Sequence, residues 1–406
     1  MIVRKYYLDK IRPYLGKPIV KAITGLRRVG KSVFVRQLID ALRQSGVPER
    51  QIVYIDKESL EFDALRDYRD LDRYVKGKTR DVPGKIYVFA DEVQDIEQWE
   101  RAVAAWSGRP ERFDITITGS NSTMFSGELA TKLTGRYIEL GICPLSLSEF
   151  KAFYPEYASE GELFTNYLRF GGMPGLRMLD DLSAETAYPF LRSVHDSIVL
   201  KDVVRRRAVR NTGLLEAVGD FCYDNIGNPI TASSIAAYLK SQRIHTNVQS
   251  IINYMQGLED AELFIMPKRY DIKGRKILEV SRKLYASDLG FRHARLGYKA
   301  GDLPQLVENL VFMELRRRYA EVHIGSVGRY EVDFVAENHA GPVYIQVTLN
   351  CNDPRTLERE VRPLLAIDDN YPKIIISAEK VYGDDLRGIR MLDLKDFLLN
   401  STEVLP

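Results

Sequence analysis

The residues at positions 25–32, which read Gly-Leu-Arg-Arg-Val-Gly-Lys-Ser, constrain the fold more than any other part of the chain. They match the pattern GxxxxGK[ST] and lie directly between an apolar run that ends at Thr24 and a segment with helical spacing that begins at Ser32. In this context the glycines let backbone N–H groups curl around phosphate oxygens, and the N-terminus of the helix adds partial positive charge. The sequence therefore predicts a phosphate-binding loop between a strand and a helix, within an α/β fold.

This loop supplies most of the predicted contacts to ATP. Lys31 is expected to reach the β and γ phosphates, and Ser32 to ligate Mg²⁺. The two arginines at positions 27 and 28 either bind phosphate or pair with nearby acids, and the sequence does not decide between these roles. The remaining predicted nucleotide contacts are Gly25, Arg27, Arg28, Val29, Gly30 and Val33.

A second motif follows at positions 86–92, where the apolar run Ile-Tyr-Val-Phe-Ala ends in Asp91 and Glu92. An apolar strand that ends in two acids is typical of the Walker B strand of ATPases. We expect Asp91 to hold Mg²⁺ from outside its direct ligands or through a bound water, and Glu92 to orient and deprotonate the attacking water as the catalytic base. The alternative is that they are two ordinary acids at the end of a strand.

Two further segments are candidates for contact with the γ-phosphate. The polar residues 118–122 follow the next predicted strand, so Asn121 or Ser120 would lie beside the loop as a sensor, although a plain polar turn explains the same residues. Arg136 offers a cation that would neutralise charge in the transition state, either in its own subunit or in a neighbouring one. Its alternative role is a structural ion pair.

The length of 406 residues and the hydrophobic content of 45% favour two or three domains. The formal net charge of +2 provides no overall field for holding DNA, so any nucleic-acid surface must be local. Cys143, Cys222 and Cys351 lie far apart, which predicts neither a disulfide framework nor a zinc site. No signal peptide or membrane span is expected, and a cytoplasmic location fits best.

Short apolar runs alternate with helical patterns up to about residue 150, as in a parallel sheet flanked by helices. One helix is predicted from Ser32 to Arg43, with Val33, Leu38 and Leu42 facing the core. The predicted strands are Ile19 to Thr24, Ile52 to Ile55, Ile86 to Ala90, Ile115 to Thr118 and Tyr137 to Cys143.

Four regions are predicted along the chain. Residues 1–150 form a P-loop ATPase domain, and residues 151–210 form a helical connector broken by the turn-rich segment 170–175. Residues 211–290 follow the order helix, helix, helix, hairpin, which is the order of a winged helix-turn-helix. Residues 300–406 return to α/β, with a helix from Leu306 to Arg318 and strands near 319–324, 332–336, 344–347 and 373–376.

The chain resembles a widespread group of prokaryotic AAA-type ATPases whose C-terminal half is a domain of unknown function. The resemblance spans nearly the whole chain. It implies ATP binding and hydrolysis, a winged helix in the middle, and a C-terminal domain similar to the PD-(D/E)xK nuclease fold. The motifs that carry it are residues 25–32, Asp91-Glu92 with Trp99, 118–121, 133–136, 144–150, 171–174 and 331–334.

The C-terminal domain departs from the pattern of active nucleases. Glu308 and Asp333 match the first two acids, which would hold Mg²⁺. The following acid-x-Lys pair reads Gln346-x-Thr348, so one metal-binding charge and the catalytic cation are both missing. The sequence therefore predicts a degenerate domain with a binding or structural role, with Glu308 alternatively pairing with arginines on its own helix.

Residues 245–276 are the predicted DNA surface. The second helix of the helix-turn-helix carries polar residues able to contact base edges or phosphates: Asn247, Gln249, Ser250 and Asn253. The hairpin that follows is basic and carries Lys268, Arg269, Lys273, Arg275 and Lys276. Winged helices also bind proteins, so this surface does not by itself identify its partner.

These observations give three hypotheses. The first is a Mg²⁺-dependent ATPase that uses its nucleotide state to reposition the winged-helix and C-terminal module on DNA. The second is a nucleotide-switched scaffold that hydrolyses ATP slowly and recruits a protein partner. The third is an ATP-driven nuclease. An arginine that acts between subunits would in addition require a homo-oligomer.

Overall fold

Strand β1 (Val20–Thr24) lies within a five-stranded parallel sheet in the computed structural model, which describes residues 2–120, 133, 135–157, 159–278, 282–381, 383 and 385–404. The chain divides into two units, Met1–Ile142 with Asp260–Glu262, and Cys143–Glu259 with Leu263–Pro406. The strand order in the first unit is β2-β3-β4-β1-β5, so β1 is flanked by β4 and β5. The prediction of an α/β fold with a parallel sheet is confirmed.

The elements of the first unit agree closely with the sequence pattern, and each strand begins and ends within two residues of its predicted bounds. The other strands are β2 (Ile52–Asp56), β3 (Ile86–Asp91), β4 (Phe113–Thr118) and β5 (Tyr137–Gly141). The helices are α1 (Lys5–Ile11), α2 (Lys31–Gln44), α3 (Tyr68–Thr79) and α4 (Trp99–Ser107).

Helix α2 packs on the sheet through a stripe that differs from the predicted one. Val35, Leu38 and Leu42 are buried, but Val33 is 41% exposed. At 100° per residue, Val33 lies about 140° around the helix from Leu38, so the two side chains cannot share one face. The prediction that Val33 faces the core was therefore wrong, and Phe34 is buried instead.

The second unit begins with helices that fill the predicted connector. Helix α7 (Ala184–Ile198) continues through a π-helical segment, Val199–Val204, into the short helix α8 (Arg205–Arg207). Three helices follow in the region predicted as a helix-turn-helix. The helices are α5 (Leu147–Phe153), α6 (Glu160–Phe170), α7 (Ala184–Ile198), α8 (Arg205–Arg207), α9 (Thr212–Asp224), α10 (Ala232–Ser241), α11 (Val248–Asp260), α12 (Leu289–Leu296), α13 (Leu303–Arg318), α14 (Pro354–Leu365) and α15 (Leu394–Val404).

The strands of the second unit form two small sheets and one eight-stranded mixed sheet, whose order is β16-β17-β15-β14-β13-β12-β8-β9. The strands are β6 (Pro229–Ile230), β7 (Phe264–Ile265), β8 (Arg269–Asp271), β9 (Lys276–Leu278), β10 (Arg282–Lys283), β11 (Tyr285–Ala286), β12 (Glu321–Val327), β13 (Tyr330–Asn338), β14 (Gly341–Thr348), β15 (Lys373–Ser377), β16 (Asp385–Leu386) and β17 (Ile389–Asp393).

The hairpin β8–β9, predicted as a wing, is one edge of this large sheet. Strand β8 pairs in parallel with β12, with Ile324 opposite Arg269. An isolated two-stranded hairpin is only marginally stable in water, so the third strand stabilises it. Strand β12 begins at Glu321 and not at Tyr319 as predicted, because the Tyr319 N–H donates to Leu315 O and ends helix α13.

Among the residues that the structure describes, no helix combines the length and the apolar character that crossing a membrane requires. The three cysteines, Cys143, Cys222 and Cys351, are buried free thiols.

Candidate nucleotide-binding site

The loop between β1 and α2 has the backbone geometry that phosphate binding requires. Gly25, Arg28 and Gly30 have positive φ angles of 137°, 68° and 98°. A Cβ atom on Gly25 would lie 2.3 Å from the carbonyl oxygen of Ile142, so only glycine fits at this position. Gly30 is the N-cap of α2, so the N–H groups of the first helical turn, which have no acceptor within the helix, face the phosphate-binding loop.

Lys31 lies inside this loop. Its Nζ donates to the carbonyl oxygen of Gly25 at 2.9 Å and lies 3.5 Å from Oε1 of Glu92. The side chain is only 3% exposed, so its charge acts in surroundings with little water. The ammonium group is thus held between the loop and the acidic end of β3.

Asp91 is the last residue of β3 and is connected to three side chains that carry hydroxyl groups. Ser32 and Thr118 both donate hydrogen bonds to its carboxylate, and the hydroxyl of Tyr54 donates to Oδ2 at 3.2 Å. Burial raises the pKa of Asp91, while the hydrogen bonds from Ser32 and Thr118 oppose part of that rise. The structure therefore brings together the two predicted Mg²⁺ ligands, Ser32 and Asp91.

Glu92 has an unusual backbone, with φ 53° and ψ 49° in the left-handed region. Its N–H donates to Oγ1 of Thr118 at 3.0 Å, which fixes the turn after β3. The carboxylate accepts a hydrogen bond from Gln94 and lies 3.7 Å from Nη2 of Arg27. Burial alone would raise the pKa of Glu92, but Lys31, Arg27 and Gln94 outweigh it and lower the pKa. Glu92 is therefore a carboxylate at neutral pH.

The two loop arginines behave differently. Arg27 is buried, and its Nη1 lies 2.6 Å from Oε1 of Glu58, in addition to the contact with Glu92. Arg28 is exposed. Arg27 thus pairs with acids in this structure, and phosphate binding by Arg27 or Arg28 stays a prediction.

The other predicted residues that the structure describes differ in their exposure to solvent. Val29 is fully buried, and its carbonyl oxygen accepts a hydrogen bond from Arg4 at 3.4 Å. Val33 is exposed on the first turn of α2. Ser120 is buried, whereas Asn121 lies outside the described residues.

Arg136 lies immediately before β5, where its carbonyl oxygen accepts a hydrogen bond from the N–H of Val20 at 2.9 Å. Its side chain is exposed and forms no ion pair within the described parts of the chain. A structural ion pair therefore does not account for Arg136, and its role as a transition-state cation stays a prediction.

Thr118 and Tyr54 are site residues that the sequence did not single out. Thr118 contacts both Asp91 and Glu92, and it reaches them because β4 pairs with β3 in parallel, with Ile117 opposite Ala90. The available signal was its position as the last residue of a predicted strand. Tyr54, on β2, carried no signal, because its contact with Asp91 depends on the order of strands in the sheet.

A second cluster of ionisable side chains lies in the second unit. The Lys283 ammonium is 2.8 Å from Glu308, 2.9 Å from Glu331 and 3.8 Å from Asp333. The hydroxyl of Tyr285 donates to Glu308 at 2.6 Å. The sequence predicted that this cluster lacks a cation, because Thr348 stands at the lysine position of the acid-x-Lys pattern. In the structure, Lys283 on β10 supplies a cation to the cluster instead. Lys283 was missed because it lies outside the acid-x-Lys pattern.

The other predicted positions of this cluster are also connected. Gln346 accepts a hydrogen bond from the N–H of Asp333 at 2.7 Å and donates one to Glu360 at 2.9 Å. Burial and the charge of Glu308 raise the pKa of Asp333 to about 8, although Lys283 opposes the rise. In the described residues, no group of three or more His, Cys, Asp or Glu side chains could hold a metal ion.

The predicted DNA surface is largely open to solvent. Asn247, Gln249 and Asn253 are exposed at and near the start of α11, and the basic residues Lys273, Arg275 and Lys276 are exposed in the turn of the β8–β9 hairpin and at the start of β9. Arg269 differs, because its guanidinium donates to Glu331 at 2.7 Å. Lys268 is also exposed, so four cations of the hairpin region are open to solvent.

Comparison with known proteins identifies the family. A family model described as an AAA domain matches residues 17–151, and a model described as a domain of unknown function matches residues 161–302. An uncharacterized protein of Haemophilus influenzae is 36% identical over 402 residues, covering 98% of this chain and 99% of that protein. An uncharacterized protein of Methanocaldococcus jannaschii is 29% identical over 397 residues, covering 90% of this chain and 85% of that protein.

Among solved structures, the chain is similar to a Walker-type ATPase of Pyrococcus abyssi, with 16% sequence identity and a TM-score of 0.48. The match covers 72% of this chain and 95% of that one. The full-length similarity to the Haemophilus influenzae protein shows that this chain belongs to the same family as that protein, and residues 17–151 match the model of an AAA domain.

Proposed function

We propose that this chain is a Mg²⁺-dependent ATPase whose catalytic base is Glu92. The observation that carries the proposal is that Lys31, Asp91 and Glu92, from two distant sequence motifs, meet at one end of the sheet beside Ser32. The loop N–H groups and the Lys31 ammonium are donors suited to triphosphate oxygens. Ser32 and Asp91 would hold Mg²⁺, which would neutralise part of the negative charge of the phosphates. Magnesium sites of this kind commonly use few protein ligands.

The electrostatics of Lys31 and Glu92 support the assignment of the base. In the structure the Lys31 ammonium lies beside Glu92 and helps to lower the pKa of that carboxyl. When Lys31 turns toward phosphate oxygens, its charge acts less on Glu92, and the carboxylate becomes a stronger base. Gln94 and Thr118 keep Glu92 in place, since they hold its carboxylate and its N–H respectively.

ATP hydrolysis by the wild type and by Glu92→Gln tests the proposal, each with and without duplex and single-stranded DNA. We expect turnover by Glu92→Gln to fall at least ~100-fold while nucleotide binding persists, because general-base catalysis contributes ~10²–10⁴-fold. Glu111→Gln, which changes an exposed glutamate of the same unit, is the matched control. Unchanged turnover in Lys31→Ala would overturn the proposal.

We further propose that helices α9–α11 and the β8–β9 hairpin act as a winged helix that binds duplex DNA, and that the nucleotide state repositions this module. Exposed polar residues on α11 and exposed cations on the hairpin support it. We expect Lys273→Ala/Lys276→Ala to weaken binding of labelled duplex DNA and to reduce its salt dependence, whereas Lys299→Ala should not. If turnover is indifferent to DNA and the chain does not bind duplex DNA, the nucleotide-switched scaffold becomes the better explanation.

A nuclease is the second candidate, and the position of Lys283 favours it. The sequence lacks the expected catalytic cation, but Lys283 lies within 3 Å of Glu308 and 4 Å of Asp333. DNA cleavage that requires Mg²⁺ and is lost in Asp333→Ala would support it. If no divalent metal supports cleavage, the nuclease proposal is wrong and this cluster has a structural role.

A further inference from the structure

A cavity of about 490 Å³ lies at the open edge of the parallel sheet in the first unit. It is formed by α2, β2, α3 and the turn before β2, and no residue of the phosphate-binding loop lines it. Strand β2 is the edge strand of the sheet, and among the residues that the structure describes no further strand pairs with its outer side. The volume lies within the range of ligand sites in proteins.

The charged residues that line the cavity are predominantly basic. Arg43 is neutralised, because its guanidinium contacts Glu49 at 2.7 Å and Asp40 at 3.0 Å. The other three cations, Arg36, Arg50 and Lys78, form no ion pair among the described residues. Three uncompensated cations around one cavity favour an anion with more than one oxygen.

The floor and one wall of the cavity are apolar and aromatic. Ile39 and Val53, which are 4% and 6% exposed, form the floor. Tyr74 on α3 is held edge-on by Phe62, with ring centroids 5.7 Å apart. An apolar floor beside a fixed aromatic ring accommodates a planar apolar group, so the cavity combines a surface for a ring with cations for an anion.

From this combination we propose that the cavity binds a nucleoside phosphate, with the base on the apolar floor beside Tyr74 and the phosphate on Arg36, Arg50 and Lys78. The ligand is either a free nucleotide or one unit of a single-stranded nucleic acid, since both present the same chemistry. This site is distinct from the proposed ATP site. Its occupation does not depend on ATP hydrolysis.

The cavity is also connected to the ATP site by hydrogen bonds. Arg36 donates to the hydroxyl of Tyr54, which in turn donates to Oδ2 of Asp91 at 3.2 Å. Arg36 and Tyr54 both line the cavity. A phosphate that engages Arg36 therefore changes the environment of the Tyr54 hydroxyl and, through it, of Asp91. Ligand binding in the cavity alters ATP turnover by this route.

Fluorescence anisotropy with fluorescein-labelled dT12 tests the site in the full-length protein. We expect Arg50→Ala/Lys78→Ala to weaken binding about 100-fold, at about tenfold for each charged contact. Arg73→Ala/Lys76→Ala is the matched control, because it removes two exposed cations from α3 that pair with Asp70 and Asp72 outside the cavity. Equal losses in the two double variants, or no loss in the first, would overturn the proposal.

Competition identifies the source of the ligand. Displacement of labelled dT12 by dTMP would identify a free nucleotide, whereas displacement only by unlabelled dT12 would identify a strand. A wild type that binds neither probe overturns the proposal. Including Lys273→Ala/Lys276→Ala separates this site from the proposed winged helix, and we expect that variant to lose less than about threefold in binding of dT12.

The effect of a ligand in the cavity on ATP turnover is measured separately. We expect dT12 to change wild-type ATP turnover by about fivefold or more, a typical size for coupling between two sites. Tyr54→Phe removes the hydroxyl between Arg36 and Asp91, so we expect its ATP turnover at saturating dT12 to equal its turnover without dT12. A Tyr54→Phe variant whose turnover responds like that of the wild type refutes the route through this hydroxyl.

Discussion

Thr118→Val removes one hydroxyl from the proposed ATP site and leaves a side chain of nearly the same shape. That hydroxyl donates to Asp91 and accepts from the N–H of Glu92 at 3.0 Å. Valine leaves both groups without this partner in a buried region. The Glu92 N–H loses this acceptor, and an unsatisfied buried polar group costs about 1–3 kcal/mol. Asp91 keeps its bonds with Ser32 and Tyr54, so the loss of one of its hydrogen bonds adds only about 1 kcal/mol. We therefore expect the free energy of unfolding to fall by about 2–4 kcal/mol.

The same strand offers a matched control. Thr116 is as buried as Thr118, but its hydroxyl has no hydrogen-bond partner among the described residues. Thr116→Val makes the same chemical change without breaking a hydrogen bond, so its effect should be within about 0.5 kcal/mol of neutral or stabilising.

Urea unfolding followed by tryptophan fluorescence measures both variants. Trp99 and Trp106 are the two tryptophans of the chain, and both lie in the first unit, so their fluorescence reports on the unit that contains the site. If Thr118→Val is not at least about 1 kcal/mol less stable than Thr116→Val, the Thr118 hydroxyl does not hold the two acids as described.

The remaining predictions concern stability and nucleotide binding. Lys283→Met leaves the carboxylates around it without their cation, and urea unfolding should show a loss of about 3–5 kcal/mol; an unchanged midpoint would contradict this. Burial lowers the pKa of His195 and of His293 from 6.5 to about 4. The unfolded chain therefore binds more protons between these pH values, and the free energy of unfolding should fall as the pH decreases from 6.5 to 4, by up to about 3 kcal/mol for each histidine. Replacing both by glutamine should flatten this profile, and an unflattened profile would assign the loss to other groups. Gly25→Ala places a methyl group 2.3 Å from the Ile142 oxygen, so binding of a fluorescent ATP analogue should be lost, and retained affinity would show that the loop adapts.

The sequence predicted the parts of the fold that depend on local pattern. The five strands of the first unit, helix α2 and the phosphate-binding loop follow from apolar runs, helical spacing and glycine positions that lie close together in the chain. Asp91 and Glu92 were predicted because an apolar strand precedes them. The two acids were predicted to lie near Ser32, because both motifs follow strands of one parallel sheet.

Contacts that depend on the order of strands could not be predicted in the same way. Tyr54 reaches Asp91 because β2 lies next to β3, and a sequence of alternating strands does not specify that order. Lys283 lies 25 positions before Glu308 and reaches it only after folding. The pairing of β8 with β12 likewise joins segments that were interpreted as parts of separate domains. The prediction for Val33 was wrong for a local reason, because Val33 lies about 140° around helix α2 from Leu38 and is therefore on a different face.

The left-handed backbone of Glu92 is a strain that the folded chain retains because of the charges around it. Glycine at this position would relieve a backbone cost of about 1 kcal/mol or more. It would also remove the carboxylate that lies beside the buried cations Lys31 and Arg27, and loss of one partner from a buried ion pair costs about 3–5 kcal/mol. The electrostatic loss exceeds the relief of strain, so the stability of the first unit and the proposed chemistry both favour a carboxylate at this position.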